Sequence, residues 1–181
     1  GGRFQLGIGV GWLEEEFSIL DAPWPRRGKR TDEMIAAMKE LWSSDGPSSF
    51  KGEFYDFDGA NMYPRPPGGH VPILVGGHSD AAARRAGRFG DGFFPGNGDV
   101  DELMAVRDKM RDAAVEAGRN PDDIEFTAGC WSPRRGDIDE VRRLEALGVD
   151  RLIVTPPSPN PDAIGRAMEE LAEKIEPVAS R

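Results

Sequence analysis

The sequence predicts an α/β fold of parallel strands joined by crossover helices, and three observations lead there. From Pro72 onward, short apolar runs alternate with amphipathic segments; glycines and an Asn-Pro pair fall at the joins; and each apolar run ends in permissive or polar residues, as in PILVGGHS at Pro72–Ser79. Strict alternation of this kind implies right-handed crossovers within one parallel sheet.

The first strand is expected over Phe4–Val10, where apolar residues alternate with glycine before the loop Gly9-Val10-Gly11-Trp12. Met34, Ile35, Met38, Leu41 and Trp42 recur at helical spacing and predict a helix from Thr31 to about Ser43, with Thr31 or Asp32 as N-cap. Residues 44–71 carry turn signals at Asp45-Gly46-Pro47, Lys51-Gly52, Asp58-Gly59 and Pro64–Gly69 between aromatics, which predicts a hairpin-bearing excursion over the main body. Four more pairs follow: strand Pro72–Val75 with helix Asp80–Arg88, strand Gly92–Phe94 with helix Asp101–Ala117, strand Ile124–Ala128 with helix Asp137–Leu147, and strand Arg151–Val154 with helix Pro161–Ile175. Gly118 and Gly148 stand where helices should end, and Asn160-Pro161 combines an N-cap with a proline at the first helical position. The expectation is five strand–helix units in a single domain spanning residues 1–181, with the excursion at about 44–71. Two architectures accommodate them, a doubly wound open sheet or part of a (β/α)8 barrel.

Bulk properties narrow the partners. The chain has 181 residues, a net charge of -9 and interspersed arginines, which repel a polyanion, so no nucleic-acid partner is expected. No apolar run approaches the roughly 18 to 20 residues of a membrane helix, so no membrane partner is expected either. One cysteine, Cys130, and two histidines leave no disulfide and no zinc site, which fits a reducing cytoplasm and no metal. The opening residues GGRFQLGIGV lack an initiator methionine and read as the interior of a longer sequence.

In either architecture ligands meet the carboxyl ends of the strands. The most informative loop is Gly76-Gly77-His78-Ser79. Glycines free backbone N–H groups to face a ligand, and Ser79 at a helix N-terminus adds a hydroxyl to a positive dipole end, a phosphate seat in form; the plain alternative is a tight turn in which Ser79 only caps. GIGVGW lacks the third glycine of a dinucleotide fingerprint, so Gly9 and Gly11 mark either close approach to a ligand or relief of crowding at a strand end. His78 is the one histidine at a strand end, either a ligand contact or a surface turn residue. Glu14, Glu15 and Glu16 either include a proton-transfer carboxylate or form the solvated first turn of a helix. Trp12, Trp24 and Trp131 could wall an apolar pocket or simply pack beneath loops, and Cys130, with no basic partner in sequence, reads as structural.

Taken together, GRFQLGIGVGWLEEEF, RRGKRTDEMIAAMKELW, SFKGEFYDF, PRPPGGHVPILVGGHSDAAARRAGRFGDGFFP and LGVDRLIV resemble the bacterial luciferase-like monooxygenase superfamily, and within it the branch of coenzyme F420-dependent oxidoreductases. The resemblance implies a (β/α)8 TIM barrel of the luciferase-like type. It aligns the opening strand with the family's fourth, so the first three strand–helix units are expected to be absent from this sequence. It further implies that Val10 and Gly11 lie beside the cofactor ring, and that Gly76, Gly77, His78 and Ser79 contact its ribityl and phosphate groups. Trp12 stands where some relatives carry a catalytic carboxylate, so the catalytic residue stays open, with His78 and Glu14 as candidates. The implied activity is hydride transfer between a deazaflavin, coenzyme F420, and an organic small-molecule substrate in a homodimeric bacterial protein. The alternatives are an FMN- and dioxygen-dependent monooxygenase, and a catalytically silent chain or one that completes its barrel with another chain.

Overall fold

The computed structural model describes residues 3–96, 99–130, 138–154, 158 and 160–179. In chain order the elements are β1 Leu6–Ile8, α1 Glu14–Ile19, α2 Arg27–Ser43, β2 Ser48–Lys51, β3 Asp56–Ala60, β4 Ile73–Gly76, α3 Asp80–Phe89, β5 Gly92–Phe94, α4 Val100–Glu116, β6 Glu125–Cys130, α5 Ile138–Ala146, β7 Arg151–Val154 and α6 Pro161–Ala179. The five strands β1-β4-β5-β6-β7 form one sheet, every neighbouring pair parallel, while β2 and β3 pair antiparallel as a separate hairpin. Spatial order follows sequence order without reversal, so there is no switch point. A doubly wound sheet requires one, and the winding is that of a barrel.

Registration separates the two faces of the sheet. Ile8, Val75, Phe93 and Phe126 align across four strands and are all buried, forming the layer on which the helices pack. The adjacent row, Gly7, Leu74, Gly92 and Glu125, faces the other way because successive strand residues alternate. On this inner side Arg151 of β7 donates from Nη1 to Gln5 Oε1 beside β1 (2.9 Å) and from Nη2 to Glu125 Oε2 (2.8 Å). In a flat sheet the edge strands β1 and β7 would lie about 19 Å apart, four strand spacings, beyond the reach of this pair of side chains. The sheet is therefore curled into an arc, and one arginine spans its lumen.

Two aspartates repeat one device at the strand starts. Asp91, just before β5, accepts the N–H of Ile73 at the start of β4 (2.8 Å), and Asp150, just before β7, accepts the N–H of Phe126 in β6 (2.7 Å). Each satisfies a donor at the end of the ladder and fixes how a strand registers on its predecessor.

Most sequence-based boundaries hold within two residues, but α2 starts at Arg27, four residues before the expected N-cap. Arg26 supplies the left-handed turn (φ 63°) that starts the helix; Thr31 instead donates to the Arg27 carbonyl from inside it, and Asp32 pairs with the buried Arg85 of α3. The first strand is shorter than Phe4–Val10, because Phe4 is exposed and pairing with β4 begins at Leu6. Gly118 and Gly148 take positive φ at helix ends as expected, and Asn160 Oδ1 accepts the N–H of Asp162 at the start of α6. The expected helix start at Asp137 lies outside the described residues.

The hairpin is tied to the body by one carboxylate. Glu33 of α2 accepts backbone N–H groups from Phe54 (2.6 Å), Tyr55 (2.7 Å) and Glu53 (2.9 Å), and Arg26 closes the same turn by pairing with Glu53. Partial desolvation, the largest single influence, raises the Glu33 carboxyl, but the three N–H donors together outweigh it and hold the group below its ordinary 4.5. A lowered folded value means the contribution is fully present above the ordinary glutamate range and is lost as pH falls through the lower folded value. Protection of the amides of residues 53–55, measured against their intrinsic exchange rates, is therefore expected to fall locally on acidification below about pH 4.5, and Glu33→Gln to produce the same loss of protection at neutral pH. Slow exchange at these amides in Glu33→Gln would refute the tether.

Candidate functional site

The described residues that follow the carboxyl ends of the parallel strands are 9–13 after β1, 77–79 after β4, and 95, 96 and 99 after β5. Gly77 adopts φ 129°, and its N–H donates to the Phe94 carbonyl at the end of β5 (3.2 Å). A Cβ on Gly77 would stand 3.0 Å from the Ala82 methyl, so this glycine is required both by its dihedral and by its approach to α3. Ser79 is the N-cap of α3, its Oγ accepting the Ala82 N–H at 3.2 Å. The cap uses the oxygen as acceptor and leaves the hydroxyl proton free to donate.

The sequence-predicted residues Gly76, Gly77, His78 and Ser79 thus come together at the ends of β4 and β5. His78 is exposed, and its ring lies against Gly96 after β5: a Cβ there would meet His78 Cε1 at 2.6 Å. Gly76 sits between the Ile8 and Phe94 carbonyls, at 3.7 and 3.8 Å from its would-be Cβ. On the inner face, positions Gly7 and Gly9 of the first strand and loop have nothing within 4 Å of an added Cβ. The arc therefore presents a stretch of bare backbone beside open space.

Gly11 has a local explanation. It takes φ 79°, a Cβ on it would enter the Phe17 ring at 2.5 Å, and its carbonyl accepts from Arg27 Nε (3.2 Å). Phe17 in turn meets Trp24 edge-on at 5.0 Å, and the Arg27 guanidinium lies 3.6 Å over the Trp24 ring. Trp24 therefore packs under its loop, while Trp12 is exposed and Val10 is half-buried at the end of β1. Glu14, Glu15 and Glu16 form the exposed first turn of α1; the Glu14 carbonyl accepts from Ser18 Oγ, and among the described residues no side-chain hydrogen bond joins Glu14 to His78. Trp131 lies outside the described residues, and Cys130 ends β6.

Two features of the site carry no sequence signal of their own. Asp80, in the first turn of α3, is paired with Lys109 of α4 at 2.6 Å. That hydrogen bond is the chief reason the Asp80 carboxyl sits below its usual range. The second is the Arg151–Glu125–Gln5 network, which crosses the inner side of the arc near the strand starts.

Comparison with known proteins agrees with this geometry. The chain is 40% identical over 154 residues to an uncharacterised protein of Mycobacterium tuberculosis, covering 85% of this chain and 51% of that protein. It is 37% identical over 129 residues to the F420-dependent glucose-6-phosphate dehydrogenase of Mycolicibacterium gilvum (68% of this chain, 38% of the relative). It is 34% identical over 122 residues to the FMNH2-dependent dimethylsulfone monooxygenase of Pseudomonas putida (65% and 33%). The chain thus spans between about a third and about half the length of these relatives. Among solved structures, an F420-dependent secondary alcohol dehydrogenase in complex with an F420-acetone adduct superposes with a TM-score of 0.80 at 20% identity, over 96% of this chain and 70% of that one, which shows a shared fold. The family model of the luciferase-like monooxygenases matches residues 1–132, across β1 to the end of β6, and the chain belongs to that family.

Proposed function

We propose that the chain forms the cofactor-side arc of an F420-dependent oxidoreductase, which moves a hydride between the deazaflavin and an organic small molecule. The observation that carries this reading is the bare inner wall at Gly7 and Gly9 beside the capped N-terminus of α3. The wall admits a planar ring system, and the helix end suits its phosphorylated tail. The 37% identical glucose-6-phosphate dehydrogenase supports F420 as the coenzyme.

When bound, the deazaflavin supplies the two-electron hydride chemistry. The protein's own part is placement. The N-terminal turn of α3 and the free hydroxyl proton of Ser79 would receive the phosphate, Gly76, Gly77 and His78 would shape the turn that brings it there, and Val10 and Gly11 would border the ring. His78, exposed beside Gly96, can hold a proton at an imidazole nitrogen near the strand ends; Glu14 would have to act from the exposed α1.

A second reading, FMN with dioxygen in a monooxygenase, is favoured by the 34% identical dimethylsulfone monooxygenase. Titrating the protein with F420 and with FMN separates the two: tighter binding of F420 is expected, and FMN binding without F420 binding would reverse the assignment. The phosphate seat has its own test in Asp80. Its carboxylate stands at the same helix end and is balanced by Lys109. Asp80→Asn removes one negative charge there and is expected to tighten F420 by about threefold at low ionic strength, less in high salt. Weaker binding in that variant would argue against a phosphate at the start of α3.

A further inference from the structure

We propose that the cleft between α4 and the C-terminal end of α5, at the opposite pole from the strand ends, is a separate small-molecule site for an alkyl chain bearing an oxygen acceptor, a carboxylate or a ketone. The cleft exists because the two helices do not close on each other. α3 and α4 pack through Ala83, Ala86, Gly87, Ala113 and Ala114, all buried, whereas α4 turns the larger Arg107, Met110 and Arg111 toward α5. The space left is about 540 Å³, within the roughly 300–1,000 Å³ of small-molecule sites.

Pro121, Ala146 and Leu147 give the cleft its accessible apolar lining, over the core side chains Met110, Ile124 and Phe126, which are exposed by only 1%, 3% and 1%. Two guanidiniums stand at its edge, one helical turn apart on the same face of α4. Arg107 spends Nη1 on the Leu147 carbonyl, capping α5, with Nη2 3.6 Å from Asp108. Arg111 gives Nη2 to Asp122 at 2.8 Å, and its Nη1 has no acceptor among the described residues. Each acid in the cleft already accepts a bond through one oxygen, Asp122 from Arg111 and Asp150 from the Phe126 N–H at 2.7 Å. The formal charges of these four side chains cancel, and Arg111 Nη1, a donor left without an acceptor among the described residues, suits an oxygen acceptor. An apolar body against Pro121, Ala146 and Leu147 with one acceptor at the edge satisfies both halves of the cleft.

Isothermal titration and saturation-transfer NMR of the protein with hexanoate, 2-heptanone and heptylammonium test the site. Saturable binding of hexanoate or 2-heptanone is expected, with heptylammonium weaker by about tenfold or more. The stronger of the two acceptor probes assigns the head group. Arg111→Met, which leaves the Arg107 cap intact, is expected to weaken hexanoate about tenfold. Ala146→Trp, at an exposed position lining the cleft, is expected to abolish binding with the thermal midpoint retained. No saturable binding of either acceptor probe, equal binding of heptylammonium, or undiminished binding in a folded Ala146→Trp protein would each overturn the proposal.

Discussion

Gly87→Ala is expected to destabilise the fold by about 3 kcal/mol or more, the upper range for forcing an extra methyl into a packed interior. In an exposed helix the same change would stabilise by up to about 1 kcal/mol, because alanine is the better helix former. Here the added Cβ would stand 2.8 Å from the Ala114 nitrogen and 2.9 Å from the Ala113 methyl, and closer still to the Met110 carbonyl. Two of those three neighbours are backbone atoms of α4, which cannot swing aside, so the helices must separate along a contact that also buries Ala83 and Ala86 completely. Gly165 of α6 provides the contrast: nothing lies within 4 Å of its would-be Cβ, and Gly165→Ala should gain the propensity term of roughly 0.5–1 kcal/mol. Urea unfolding of the two variants measures both. A Gly87→Ala protein as stable as the parent would show that α3 and α4 do not meet as closely as described.

The local grammar of the chain was legible because local forces write it. Apolar period, the positive-φ glycines Gly118 and Gly148, and the Asn160 cap each depend on a few neighbouring residues, and each appears where expected. The start of α2 was not legible, since Arg26 in the left-handed region (φ 63°) does what a conventional cap would do, and Thr31 and Asp32 were drawn to partners inside the helix and on α3. The choice between an open sheet and a barrel was not decided by periodicity either; it is visible in the strand order and in Arg151 meeting Gln5 across the lumen. Nothing in an alanine-rich helix says that Gly87 alone may not carry a methyl, because the prohibition comes from α4.

The site divides the same way. Ser79 as a cap follows from its place before a helix, and the structure places it there. Gly11, which the family resemblance set beside a ring, is explained by Phe17 and Arg27 without any ligand. Lys109, which balances Asp80, is 29 residues away in sequence and was invisible to motif reading.

Gly77→Ala is the substitution expected to separate phosphate recognition from ring recognition. At φ 129° an alanine is strained whatever the space around it, at a cost of about 1–3 kcal/mol. Its methyl would also press on Ala82, 3.0 Å away, in the first turn of α3. The chain can relieve both by shifting the loop, which moves the Ser79 cap and the first turn of α3 behind it but leaves β1, with Gly7 and Gly9, untouched. Binding of F420 should therefore weaken by about tenfold or more, as expected when several donors to a phosphate lose alignment. Binding of the deazaflavin chromophore lacking the phosphorylated tail should change little. The comparison within one variant removes the effect of lowered stability, because both ligands meet the same folded population. Equal losses for the two would place the tail elsewhere and leave Gly77 with a purely structural role, joining β4 to α3 and donating to Phe94.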